Sequence, residues 1–155
     1  MKPIILCTSL LTASLLCACA AAPEKTAVYT PGLGEIMTQI STRHAKLWFA
    51  GAAKNWQLAE YELDELLEGF EDAKTYHPQH KDIKVAIPVL IEASMDAPLR
   101  QLEQAIKQQN PVLFASSYDA LTDGCNACHQ TTQFGFNKVI RPTSNPFANQ
   151  AFSAN

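Results

Sequence analysis

The chain has 155 residues, 47% of them hydrophobic, with 12 basic and 15 acidic side chains and a net charge of −3. That length supports one domain with a substantial core. The acidic balance argues against a nucleic-acid binder and against a protein held by charge to an anionic membrane surface.

Met1-Lys2 opens a leader. Residues 3–16 carry no charge, and Leu16-Cys17-Ala18-Cys19 and Ala20-Ala21-Ala22-Pro23 follow. This predicts a secretory signal peptide over residues 1–18, too short and wrongly flanked for a stable membrane span. Two cleavage readings are open. Leu16-Cys17-Ala18-Cys19 resembles a bacterial lipobox, which makes Cys19 a lipid anchor and the first residue of the mature protein. The small residues around Ala18 and Ala20 also suit ordinary cleavage. Both readings place the mature domain in the periplasm, anchored as a lipoprotein in the first and free in the second. Loss of Lys2 with the leader leaves 11 basic against 15 acidic residues. Residues 19–32, rich in Ala, Pro and Thr and without periodicity, read as a tether.

The domain proper reads as helices. Leu33, Met37, Ile40, His44 and Leu47 recur at helical spacing and predict a first helix over about 33–49, with Gly51 just past its end as a left-handed cap. Asn55 is a good N-cap for a second helix reaching Tyr76, with Trp56, Ala59, Leu63, Leu66, Phe70 and Ala73 inward. Its acids, Glu60, Glu62, Asp64, Glu65, Glu68, Glu71 and Asp72, read as a solvated face; docking of a basic redox partner is the sharper alternative. Pro78 ends the helix. Residues 78–84 read as a polar loop, with His77 and His80 as surface residues. A third helix over about 85–109 buries Ile87, Leu90, Ile91, Met95, Leu99, Leu102 and Ile106. Pro88 suits its first turn, whereas Pro98 predicts a kink or break near 94–96.

Asn110-Pro111 opens a fourth helix, predicted to end near Gln133. Phe114, Tyr118, Leu121, Cys125 and Cys128 form its apolar stripe. The last two belong to Cys125-Asn126-Ala127-Cys128-His129, which has the Cys-x-x-Cys-His spacing of a c-type haem attachment site. Two thiols so spaced can each bond one vinyl group of a porphyrin, and the adjacent imidazole becomes an axial iron ligand. A redox dithiol or half a zinc site are the competing uses of Cys-x-x-Cys. The first belongs in a βαβ pattern and the second needs two further ligands; the chain supplies neither. Of five cysteines, Cys7, Cys17 and Cys19 lie in the signal region, so haem c uses both remaining thiols and no disulfide is expected. Residues 134–155 hold Phe134, Phe136, Val139, Ile140, Phe147 and Phe152, too many large apolar groups for a solvated tail. They read as an ordered strap over the bundle or the haem edge.

With no strand alternation, four helices and short connections predict an all-α, antiparallel up-down-up-down four-helix bundle with an irregular C-terminal tail. The haem domain spans 33–133 and the strap 134–155. Met37 and His44 are the candidates for a second iron ligand. Helix one runs antiparallel to helix four, so Met37 near the start of one stands level with His129 near the end of the other. His44 lies about 10 Å deeper and Met95 is mid-helix, which favours Met37; an open sixth position remains the alternative.

The arrangement resembles the class II, four-helix cytochromes c, the cytochrome c′ group and its Met-ligated low-spin relatives. The matching features are Cys125-Asn126-Ala127-Cys128-His129 on a last helix and a Met early in helix one, across about residues 33–133. The tail after 133, the segment 43–51 with Asn55-Trp56, and Pro98 depart from that pattern. The resemblance implies one covalent haem c held by Cys125, Cys128 and His129. Met37 then completes a His/Met electron carrier with a protein redox partner. The alternative is a gas-binding or sensing protein with five-coordinate iron. An enzyme would need a distal acid–base group, for which His44 is the candidate at the wrong height, so no enzymatic activity is expected. A monomer or homodimer is compatible with the pattern.

Overall fold

The structure, a computed structural model, describes residues 29–154. The expected signal peptide, the Cys19 anchor and the tether up to residue 28 lie outside the described residues. Four helices follow one another: α1 (Leu33–Ala52), α2 (Trp56–Tyr76), α3 (Ile87–Lys107) and α4 (Pro111–Thr131). There is no strand among the described residues, and no helix there is long and apolar enough to cross a membrane. Packing is closest within α1/α2 and α3/α4, lesser between α2 and α3, and least between α1 and α4. The bundle is therefore two antiparallel hairpins, parted along the α1/α4 seam. Its centre is filled by Leu47, Leu66, Leu102, Phe114, Tyr118 and Leu121, all essentially without exposure.

The hairpin turns are tight because one residue serves two helices. After α1, Lys54 adopts a left-handed φ of 58°. The Lys54 N–H donates to the Gly51 carbonyl (2.9 Å) and the Asn55 N–H to the Ala50 carbonyl (2.9 Å), the paired closure of a Schellman motif. Asn55 then caps α2, its Oδ1 accepting from the Leu58 N–H at 3.2 Å. After α3 the pattern repeats with Gln109 at φ 50° and Asn110 bonded back to Ala105 (3.0 Å). The Asn110 Oδ1 accepts from the Val112 and Leu113 N–H groups, both at 3.1 Å.

Three expectations change. Gly51 is not the cap: α1 continues to Ala52, and Gly51 is buried where the Phe114 ring lies too close for any Cβ. The left-handed position falls to a lysine. Pro98 does not break α3, which runs on from Ile87 to Lys107. The Ser94 carbonyl, which Pro98 cannot serve, is instead pressed against α4 at Gly124. A Cβ there would lie 2.5 Å from that oxygen and 2.8 Å from the Met95 Cε. Tertiary packing thus carries the helix through a residue that local sequence would make its end. Glu62 is not solvated but 1% exposed, because it lies on the α2 face turned to α1. There the Arg43 guanidinium donates to it at 3.2 Å and to Glu65 at 2.7 Å.

The tail, without helix or strand over 132–154, packs only in part. Phe152 is buried beside Phe49 and Phe147, whereas Phe136 and Ile140 are 83% and 65% exposed.

Candidate functional site

Where the two hairpins part, a cleft of about 460 Å³ opens between α1 and α4. Met37 and His44 of α1, Met95 of α3, and Cys125, Cys128 and His129 of α4 all line it. Aliphatic side chains such as Leu33, Ile40, Ile87 and Ile91 complete its walls. Its size is in the range of small-molecule and cofactor pockets.

The register of α1 against α4 is set deep in the bundle. The His44 ring, 3% exposed, hydrogen-bonds through Nε2 to the Thr122 hydroxyl and through Nδ1 to the Tyr118 hydroxyl, both at 2.9 Å. His44 thus stands opposite Thr122. In antiparallel helices, seven residues toward the start of α1 matches seven toward the end of α4. Those steps reach Met37 and His129, on one level about 10 Å from His44. Met95 packs at the level of Gly124, five residues short of His129 along α4.

His44 is held away from metal chemistry by its own bonds. Both ring nitrogens are engaged, and burial pushes its pKa down to about 4, so the ring is a neutral member of a buried network. The Tyr118 hydroxyl also lies 2.9 Å from the His44 carbonyl, and the Thr122 hydroxyl 2.9 Å from the Tyr118 carbonyl. In the neutral ring one nitrogen donates and the other accepts, so one of the two hydroxyls gives its proton to the ring and the other to its carbonyl. Burial raises the Tyr118 hydroxyl well above its usual range.

His129 is arranged differently. Its Nδ1 lies 2.6 Å from the backbone carbonyl of Asn137. A carbonyl can only accept, so Nδ1 carries the proton, and in a neutral ring Nε2 keeps its lone pair. That is the tautomer a metal-ligating histidine needs.

Cys125 and Cys128 are unbonded, half-buried thiols. Burial, with a smaller contribution from Cys128, pushes the Cys125 thiol up to about 12, and burial raises Cys128 as well. A redox dithiol shows the opposite, with one thiol lowered by nearby positive charge or a helix N-terminus. Among the described residues no three His, Cys, Asp or Glu side chains gather as a metal site. The donor set fits a haem: two thiols on an apolar wall, an imidazole with a free lone pair, and a thioether on the facing helix.

Several lining residues were not legible in the sequence. The α2–α3 loop folds over the mouth of the cleft and brings His80 and Lys81 to it; burial, then Lys81 and His77, lower the His80 pKa. His77, by contrast, donates from Nε2 to the Pro31 carbonyl at 2.8 Å. A neighbouring hollow of about 480 Å³ shares Lys81 and is lined by Asp82 and Lys84 as well. Asn137 and Val139 also line the cleft, and Asn126 reaches it through its bonds to Val139; only the Cys-x-x-Cys frame around Asn126 hinted at any of them. Comparisons with protein-family models, curated proteins and solved structures returned no match for this chain.

Proposed function

We propose that this protein is an exported c-type cytochrome, a member of the class II four-helix group, that carries electrons through one covalent haem c. Cys125 and Cys128 would hold the porphyrin by thioether bonds, and His129 Nε2 and the Met37 thioether would bind its iron. Bound there, the haem supplies a one-electron Fe(III)/Fe(II) couple. The observation that carries the reading is the level shared by Met37 and His129 across the cleft that both cysteines line.

The residues divide the work. His129 presents a lone pair whose direction is held by the Asn137 carbonyl. Met37 lines the facing wall, where its thioether would keep water and small ligands from the iron. The aliphatic walls would keep the surroundings of the iron apolar, a setting that tunes a haem's potential. Lys81, which lines the cleft, would offer a cation to the haem's propionates. His44, neutral and bonded at both nitrogens, is in no position for acid–base chemistry, in keeping with a carrier rather than an enzyme. The partner in this reading is another redox protein, met in the periplasm by a monomer or homodimer that is free or tethered through Cys19.

The test is the spectrum of the holoprotein. Haem should resist extraction by acidified acetone. The ferric protein should be low-spin with a weak far-red sulfur-to-iron band, and carbon monoxide should bind slowly. Met37→Ala should turn it high-spin and open to carbon monoxide, with its haem retained. A wild type that is already high-spin and binds gas quickly would instead assign the cleft to gas binding, with Met37 as packing.

A further inference from the structure

The strap that follows α4 is tied back onto the motif it has just left. Gln133 turns left-handed at φ 65°, and the Phe134 N–H donates to the His129 carbonyl at 2.7 Å. Further on, the Asn126 side chain grips the backbone of Val139 with both ends of its amide. Its Nδ2 donates to the Val139 carbonyl at 2.9 Å, and its Oδ1 accepts from the Val139 N–H at 2.8 Å. Between these two ties lies Asn137, whose carbonyl accepts from the His129 Nδ1–H at 2.6 Å. Beyond them Arg141 lies over the Trp48 ring, 4.3 Å from its centroid, and its Nε donates to Asp119 Oδ1 at 2.9 Å. Residues 134–139 therefore form a short closed loop with fixed ends and one carbonyl aimed at the imidazole.

We propose that Asn126 is a positioning residue: by clamping Val139 it holds the Asn137 carbonyl on His129 Nδ1–H and thereby sets how strongly His129 donates to an axial iron. The proposal rests on the haem reading above and adds to it a role for a variable position of the attachment motif. A single bond from an amide would leave Val139 free to pivot, whereas two parallel bonds fix it as a neighbouring strand would. A fixed acceptor on Nδ1–H locks the tautomer and ring orientation and raises the basicity of Nε2. At 2.6 Å the bond is shorter than an ordinary N–H···O contact. Water could accept the same proton without fixing the ring. A more basic imidazole favours the ferric ion, so the clamp lowers the reduction potential.

The test uses full-length holoprotein, wild type against Asn126→Ala and Val139→Pro. Asn126→Ala removes both clamp bonds, and Val139→Pro removes only the N–H donor and leaves the motif untouched. Two quantities are read: solvent exchange of the His129 Nδ1–H by NMR in the ferrous state, and the midpoint potential. In Asn126→Ala the exchange should be at least about tenfold faster. Its Fe(III)/Fe(II) equilibrium should move about threefold toward Fe(II), an upward shift of about 28 mV at 59 mV per tenfold. Val139→Pro should change both in the same direction by less, and it carries the test if Asn126→Ala fails to retain haem. Full haem with unchanged exchange, or with an unchanged or lowered potential, overturns the role of Asn126 and leaves the haem reading standing. Wild type without covalent haem overturns that reading, and the proposal with it.

Discussion

Acid should weaken this fold through His44, and the amount follows from its burial. The ring is neutral in the folded protein, with its pKa lowered from 6.5 to about 4 by loss of solvent. Above pH 6.5 both folded and unfolded chains carry a neutral His44, and the contribution to stability is fully present. As pH falls the unfolded chain takes up the proton first, so stability drops until the folded pKa is passed. Between pH 7 and pH 4 the loss is about 3 kcal/mol, with about half of it gone by about pH 5.5. His44→Leu isolates the effect. Tyr118 keeps the backbone carbonyl of residue 44 as acceptor, and Thr122 keeps that of Tyr118. The variant therefore leaves no hydroxyl stranded and should cost only about 1 kcal/mol at pH 7. Urea unfolding followed by far-UV circular dichroism at about pH 7, 5.5 and 4 gives both numbers. Wild type should lose about 3 kcal/mol more than His44→Leu across that range. Equal losses in the two proteins would refute the assignment of a neutral buried imidazole.

Four further outcomes are expected. Lys54→Gly and Gln109→Gly relieve left-handed backbone at the ends of α1 and α3 and should each stabilise by about 1 kcal/mol in thermal unfolding. Arg43→Met strands the buried Glu62 carboxylate and should cost about 3 kcal/mol, most of which Glu62→Leu in the same chain should restore. Gly124→Ala forces a methyl against the Ser94 carbonyl and Met95; urea titration should show a loss of about 1–3 kcal/mol, although alanine is the better helix former. If Cys19 is lipidated, Cys19→Ser should move the protein from the membrane fraction to the soluble one or block its processing, while a lipid-free N-terminus at Ala21 in the wild type would favour ordinary cleavage.

The amino-acid order by itself determined the four helices and their pairing into an antiparallel bundle. Apolar residues at helical spacing must be buried against one another, and connections as short as those at Lys54 and Gln109 allow only neighbouring, oppositely directed helices. It also singled out Cys125, Cys128 and His129 as candidate site residues, because a Cys-x-x-Cys-His spacing is a local pattern. What the tertiary structure decided are matters of facing. Whether an acid on α2 meets water or Arg43 depends on how α2 is rotated against α1. Whether Pro98 breaks α3 depends on what α4 offers the carbonyl left free, and a glycine there lets the helices close. That His44 opposes Thr122, and hence that Met37 stands level with His129, depends on the axial register of two helices whose touching residues are 78 apart in the chain. The place of Asn137 beside His129 depends on a side-chain amide gripping a strap with no periodicity of its own. Local propensity reports on neighbours three or four residues away. These contacts join residues whose only common constraint is the packed bundle, so their energies appear once it has formed.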